Sequence, residues 1–165
     1  MRAIELDRDL IEPLKTKTEE FGRIEIIQAD ILEVDLNNLG ADSRLRIVGN
    51  LPYNISTPIL FHLAKYTNIT QDLHLMFQHE VVERMIAKPS SSEYGRLSIM
   101  AQYHWRIESL YRISPNSFFP APKVESAFAR LIPHTVPPVQ VDNFERFSLI
   151  VRTAFSNRRK TVRNS

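Results

Sequence analysis

The chain has no cysteine, four glycines and one tryptophan in 165 residues. Without cysteine there are no disulfides and no thiolate metal sites, which suits a reducing cytoplasm. The glycines (Gly22, Gly40, Gly49 and Gly95) are nowhere closely spaced. The five histidines, His62, His74, His79, His104 and His134, show no i, i+4 pair and no zinc spacing, so no metal site is expected. No apolar run approaches membrane-spanning length, and no charged-then-apolar signal segment opens the chain. With 43% hydrophobic and 24% charged residues, the sequence reads as one soluble globular domain with part of another.

Charge of one sign is missing from the C-terminal end. Residues 152–165 hold five basic side chains (Arg152, Arg158, Arg159, Lys160 and Arg163) and no acid. The net charge is +2, and the first 151 residues carry 16 basic and 19 acidic groups, so the positive charge is local. Such an end attracts a partner made of phosphates, although a solvated helix face is the commoner role of a charge run.

Strand and helix patterns alternate along the first half. Arg2–Asp7 is a short buried-strand pattern ending in acids, and Asp7 can cap a helix from Arg8 to about Phe21 in which Pro13 invites a kink. Ile24–Ile27 is the next strand and Gln28–Ile31 the loop leaving it. Leu45–Val48 is a third strand, and residues 58–66 form an amphipathic helix after it. Alternation of this kind implies βαβ units and a largely parallel sheet. In the second half Leu73–Gln78 reads as a strand, Glu80–Ala87 as a helix, and 88–95 as a polar loop whose length suits a lid or an RNA-facing loop, although most such loops are only connections. A helix near Leu97–Tyr103, a strand Trp105–Ile113 and a last strand Lys123–Ile132 complete it, with Val124, Ala127, Phe128 and Leu131 available to the core. Pro133–Val139 is a linker and Val141–Phe155 a further helix.

The organising stretch is Ile47–Ser56, in which a strand runs through Gly49 into Asn50-Leu51-Pro52-Tyr53 and then a helix start. Loops leaving the carboxyl ends of strands hold ligands in α/β sheets. The exocyclic amine of a nucleobase is a poor nucleophile because its lone pair is delocalised. The Asn50 side-chain oxygen and the Leu51 carbonyl can both accept its hydrogens, favouring a pyramidal nitrogen. Pro52 fixes φ beside the Leu51 carbonyl, and Tyr53 offers a flat face for an extruded base. A Pro-containing turn capping a helix would fit the same four residues. Glu5 and Asp30 end the two preceding strands, where carboxylates can hold ribose hydroxyls and an adenine amino group, with Ile31 against the ring. Either acid alone is more often a cap or a surface group.

Asn50-Leu51-Pro52-Tyr53 resembles the Asn/Asp-Pro-Pro-Tyr/Phe signature of amino-group methyltransferases. With Leu51 it is more similar to the ribosomal RNA adenine N6-dimethyltransferases. Phe118-Phe119-Pro120-Ala121-Pro122-Lys123-Val124 matches that family's Phe-x-Pro-x-Pro-Lys-Val segment, although Phe118 and Phe119 could be core plugs. The resemblance takes in Glu5-Leu-Asp, Gln28-Ala-Asp, the Lys123-Val-Glu-Ser strand and Ala154–Ser165, and so nearly the whole chain. The bacterial enzymes that dimethylate two adjacent adenines of small-subunit (16S) rRNA are the most similar form. The macrolide-resistance methylases are cousins.

The resemblance implies a Rossmann-like, class I S-adenosylmethionine-dependent methyltransferase sheet flanked by helices over 1–136. The start of a small helical C-terminal domain follows over 137–165. It implies Asn50, Leu51, Tyr53 and Phe118 as catalytic residues, with Tyr53 and Phe118 sandwiching the ring. Glu5, Asp30, Ile31 and Asn50 would bind S-adenosylmethionine, and Arg158, Arg159, Lys160 and Arg163 the RNA. The expected partner is small-subunit rRNA in the 30S particle, with no metal and no membrane, for a cytoplasmic monomer. The family's Gly-x-Gly-x-Gly loop and first strand have no counterpart here. A fragment with weak cofactor binding and no useful turnover is therefore expected. Two alternatives are a non-catalytic rRNA-binding assembly factor and an N6-adenine DNA methyltransferase (or a related protein-glutamine methylase). Leu51 and the 118–124 segment argue against the methylase alternatives.

Overall fold

The computed structural model describes residues 1–22, 24–40 and 44–156. Six strands and five α-helices follow the order β1 (Arg2–Glu5), α1 (Arg8–Thr18), β2 (Glu25–Gln28), β3 (Leu45–Asn50), α2 (Ser56–Leu63), β4 (Thr70–Gln78), α3 (His79–Ile86), α4 (Arg96–His104), β5 (Trp105–Ile113), β6 (Ser126–Pro133) and α5 (Phe144–Ala154). The strands form two sheets among the described residues, a β1–β2 pair and a four-stranded sheet of order β3-β4-β6-β5. The β1–β2 and β3–β4 pairings are parallel, whereas β4–β6 and β5–β6 are antiparallel. The sheet is thus more mixed than the alternation in the first half implies, because no helical crossover separates β5 from β6.

Strand β4 is the axis of the larger sheet. Its alternation sends Leu73, Leu75 and Phe77, all fully buried, to the face that meets the helices. Leu60 and Leu63 of α2, Val82 and Met85 of α3, Leu97 and Ala101 of α4, and Trp105 complete that core. Each of the large apolar side chains among them stabilises the fold by about 1.5–3 kcal/mol. A two-stranded sheet is marginal alone, but Ile4, Ile31, Leu32, Val34 and Leu39 pack against the same core and hold the β1–β2 pair to it.

Local chemistry sets most boundaries. The Asp7 side chain accepts from Asp9 N at 2.9 Å and starts α1, and Pro13 lies within that helix. A 3₁₀ turn, Glu19–Phe21, follows, and Gly22 at φ 100° ends the run in a conformation that favours glycine. Helix α2 is not a one-faced amphipathic helix, because Ser56, Ile59, Leu60, His62 and Leu63 are all buried. Helix α5 begins at Phe144, where Asn143 Oδ1 accepts from Arg146 N at 2.7 Å. Its Phe144 and Phe147 rings stand 5.5 and 5.1 Å from Tyr103, so α5 packs on α4.

Strand β6 begins at Ser126, leaving Lys123–Glu125 in the preceding loop. Val124 is accordingly exposed, and Phe128 is half-buried and stacks on Tyr111 at 5.5 Å. Neither is a core residue, contrary to the sequence pattern.

Candidate functional site: two free acceptors beside an apolar slot

The parallel β3–β4 pair and the antiparallel β4–β6 pair bring Asn50, Gln78 and Ser126 to one end of the larger sheet. Gly49 is needed just before that end. A Cβ there would stand 3.1 Å from Leu51 Cδ2 and 3.3 Å from Leu75 Cδ2, tighter than packing tolerates without a shift. Its absence lets the Leu51 side chain fold back on the core, where it packs, and leaves the Leu51 backbone to the loop.

Three of the loop's other carbonyls are occupied. Pro52 O accepts from Ile55 N at 3.2 Å, Tyr53 O from Ser56 Oγ at 3.1 Å, and Ile55 O from Ile59 N at 2.9 Å. Among the described residues the Leu51 carbonyl and the Asn50 side-chain amide have no hydrogen-bond partner. Two acceptors are therefore held ready on a loop whose geometry is otherwise tied down. Polar groups left free in this way take up partners from water or from a ligand.

A cavity of about 290 Å³ opens beside them, lined by Asn50, Leu51, Pro52, Tyr53, Met76, Phe118, Phe119, Pro120 and Pro122. It lies at the small end of the usual ligand-pocket range of about 300–1,000 Å³. Tyr53 and Phe118 are both half-buried, share the cavity and make no ring contact with each other among the described residues. The slot between the two loops is lined by rings and by no carboxylate, histidine or lysine. Phe118 and Phe119 are not core plugs: Phe118 lines the slot and Phe119 is fully exposed at its rim.

Two members of the site escaped the sequence reading. Met76 is 6% exposed and pairs with Asn50 across the β3–β4 ladder. The strand-end argument applied to Asn50 extends to its neighbour and could have found it. Ser126 is wholly buried, and its hydroxyl shares a hydrogen bond with that of Tyr53. No sequence signal marks a contact across 73 residues.

The acidic candidates sit on the smaller sheet. Glu5 and Gln28 are partners in the β1–β2 ladder, so Glu5 and Asp30 flank one sheet end. One carboxylate oxygen of each binds backbone locally: Glu5 Oε1 accepts from Asp7 N at 2.8 Å and Asp30 Oδ1 from Leu32 N at 2.9 Å. The second oxygen of each has no hydrogen-bond partner among the described residues. Ile31 is half-buried and packs in part against the core. Asn50 lies in the other sheet, so the three strand ends that run in sequence are not three neighbours in one ladder. Arg158, Arg159, Lys160 and Arg163 lie outside the described residues. Among the described residues no group of three or more His, Asp or Glu could hold a metal ion, and no helix is long and apolar enough to cross a membrane.

The opposite end of the same strands is charged. Asp72, 1% exposed, receives Arg46 Nε at 2.7 Å, Arg46 Nη2 at 3.1 Å and Arg130 Nη2 at 3.0 Å. Burial alone would push its carboxyl up. The hydrogen bonds from Arg46 and Arg130 outweigh that and hold it below the usual 3.8. His104, buried beside Trp105 and Phe144, is pushed below its usual 6.5 by that burial and by the charge of His134.

Comparison with known proteins defines the class first. The fold matches a dimethyladenosine transferase from Plasmodium falciparum with a TM-score of 0.81 at 29% identity, over 97% of this chain and 56% of that one. It also matches the 23S rRNA methyltransferase ErmE, with a TM-score of 0.74 at 23% identity, over 98% of this chain and 63% of that one. The architecture is that of a class I methyltransferase.

The family model "Ribosomal RNA adenine dimethylase" matches residues 1–165, and the chain belongs to that family. It is 48% identical to the ribosomal RNA small subunit methyltransferase A of Marinobacter nauticus over all of this chain and 60% of that protein. It is 49% identical to the protein of the same name from Xylella fastidiosa, over all of this chain and 63% of that one. The chain thus spans about 60% of the length of the curated relatives it matches.

Proposed function

We propose that the full-length protein transfers methyl groups from S-adenosylmethionine to N6 of adenines in small-subunit rRNA, on two adjacent adenosines of the 30S particle. The supporting observation is the pair of unpartnered acceptors, the Asn50 side chain and the Leu51 carbonyl, beside the ring-lined slot. An adenine amino group has two N–H donors, and the two acceptors take one each. The nitrogen lone pair is then turned out of conjugation and toward the methyl donor. Tyr53 and Phe118 hold the ring between them, each stacking contact contributing about 1–3 kcal/mol and offsetting the cost of extruding the base.

The cavity lining offers no strong base. Rate enhancement therefore comes from positioning and from hydrogen bonds that strengthen as positive charge develops on the nitrogen. S-adenosylmethionine supplies an electrophilic methyl group on a sulfonium. The free oxygens of Glu5 and Asp30 suit its ribose hydroxyls and adenine amine, and Ile31 suits a flat ring. Asn50 stands between the two functions. The division at 136/137 separates this catalytic part from a helical part beginning with α5, whose basic continuation binds RNA phosphate. The protein acts as a monomer in the cytoplasm.

Calorimetric titration of S-adenosylmethionine into this chain and into the full-length form tests the cofactor assignment. Binding to the full-length form that weakens at least tenfold in Asp30→Ala is the expected result. Undiminished binding in Asp30→Ala overturns the placement, and no binding at all overturns the methyltransferase reading.

A further inference from the structure

We infer that Ser126 is a positioning residue for the target base, acting through the Tyr53 ring. The inference rests on the adenine-methylating reading of the slot. Ser126 has no exposed surface and begins β6, paired with Gln78 on one side and Ile113 on the other. The residue before it accepts a 2.8 Å hydrogen bond from His79 N, so the backbone at this point is fixed from three directions. The Ser126 hydroxyl meets the Tyr53 hydroxyl. Tyr53 sits on a loop outside any strand, and this bond is its side chain's one hydrogen bond among the described residues.

Ser126 also ends the loop that carries Phe118 and Pro122, four residues beyond Pro122. The two walls of the slot are therefore referred to one point. Phe118 is tied to the start of β6 through the backbone, and Tyr53 is tied to it through a hydroxyl pair. Without the pair, the Tyr53 ring tilts about its side-chain torsions while the Phe118 wall stays in place. The slot then loses its fixed width, and the amine is no longer aligned with Asn50 and Leu51. Misplacement on this scale acts on the chemical step, because alignment is what the site contributes. Particle binding relies on a far larger surface and is not affected.

The test is a double-mutant cycle in the full-length form with Ser126→Ala, Tyr53→Phe and both together. Methyl transfer to small-subunit particles and thermal melting are followed in parallel. Tyr53→Phe keeps the ring and leaves the buried strand untouched, so it reads the bond even where Ser126→Ala loses stability. The expected result is a fall in kcat of about tenfold in each single variant, with KM for the particle unchanged and no further loss in the double variant. Wild-type kcat in folded Tyr53→Phe, or losses that multiply in the double variant, overturn the proposal and leave the function standing. A wild-type protein that methylates no adenine overturns both.

Discussion

Strands β3, β4 and β6 carry two polar clusters about four residues apart along the chain, roughly 13 Å at 3.3 Å per residue, and they are opposites. At the Arg46–Asp72–Arg130 end every hydrogen-bonding oxygen of the buried carboxylate has a charged partner. At the Asn50–Met76 end the groups are neutral, and two acceptors have no partner. At the charged end both carboxylate oxygens are taken up by guanidinium groups, while the buried Arg130 Nε and His74 Nδ1 beside them have no hydrogen-bond partner among the described residues. What sets the Asn50 end apart is that its free acceptors border the apolar cavity. Charge density by itself marks a structural lock.

That contrast predicts opposite outcomes for substitutions at the two ends. The largest effect belongs to Asn50→Ala: methyl transfer by the full-length form falls about 10²–10³-fold, as for loss of one preorganised hydrogen-bonding group. Its melting temperature stays at the wild-type value, because Asn50 holds no other part of the fold. A parallel assay of rate and melting checks both halves, and a large loss of stability would erase the distinction between the ends.

Phe118→Ala comes next. Loss of one stacking wall, worth about 1–3 kcal/mol, lowers transfer by about tenfold or more with little change in melting. Asp72→Asn reverses the pattern. It leaves two arginines facing a neutral group, and since both guanidinium groups keep access to water the cost is moderate, about 5 °C in Tm. The rate at temperatures where the variant is folded stays near wild type.

The smallest effect is on pH dependence. Burial and the charge of His134 make His104 take up a proton less readily in the fold than when unfolded. Its contribution to stability is therefore fully present above about pH 6.5 and is lost as pH falls through its lower folded value. Asp72, whose carboxyl is depressed, contributes above 3.8 and loses that contribution in stronger acid. Melting between pH 7.5 and 5.5 should fall by a degree or two less in His104→Phe than in wild type. Identical slopes would remove His104 from the account.

The sequence made much of the slot legible, for a physical reason. Asn50, Leu51, Pro52 and Tyr53 are contiguous, as are Phe118 to Val124, and contiguous residues with unusual backbone demands leave a pattern a reader can see. The apolar pattern placed β5 to the residue, whereas β3 runs two residues further than expected and β4 starts three residues earlier, at Thr70. The pairing of those strands was not legible: the split into two sheets and the antiparallel β6 arise from contacts far apart in the chain. The burial of α2 on most sides was missed because its polar residues find partners once buried, Ser56 on the nearby Tyr53 O and His62 on Val34 O, 28 residues away, at 3.1 Å. The Tyr53–Ser126 pair was invisible for the same reason as the sheet order.

The most direct test asks whether the two free acceptors demand an amine. Small-subunit RNA in which the target adenines are replaced by inosine presents a carbonyl where adenine presents NH₂, so acceptors would face an acceptor. Methyl transfer by the full-length form to adenine-containing RNA and none to inosine-containing RNA, with both RNAs bound, is the result this account predicts. Equal transfer to both would put the methyl group elsewhere on the base and show that the reacting group is not the amine for which Asn50 and Leu51 are the acceptors.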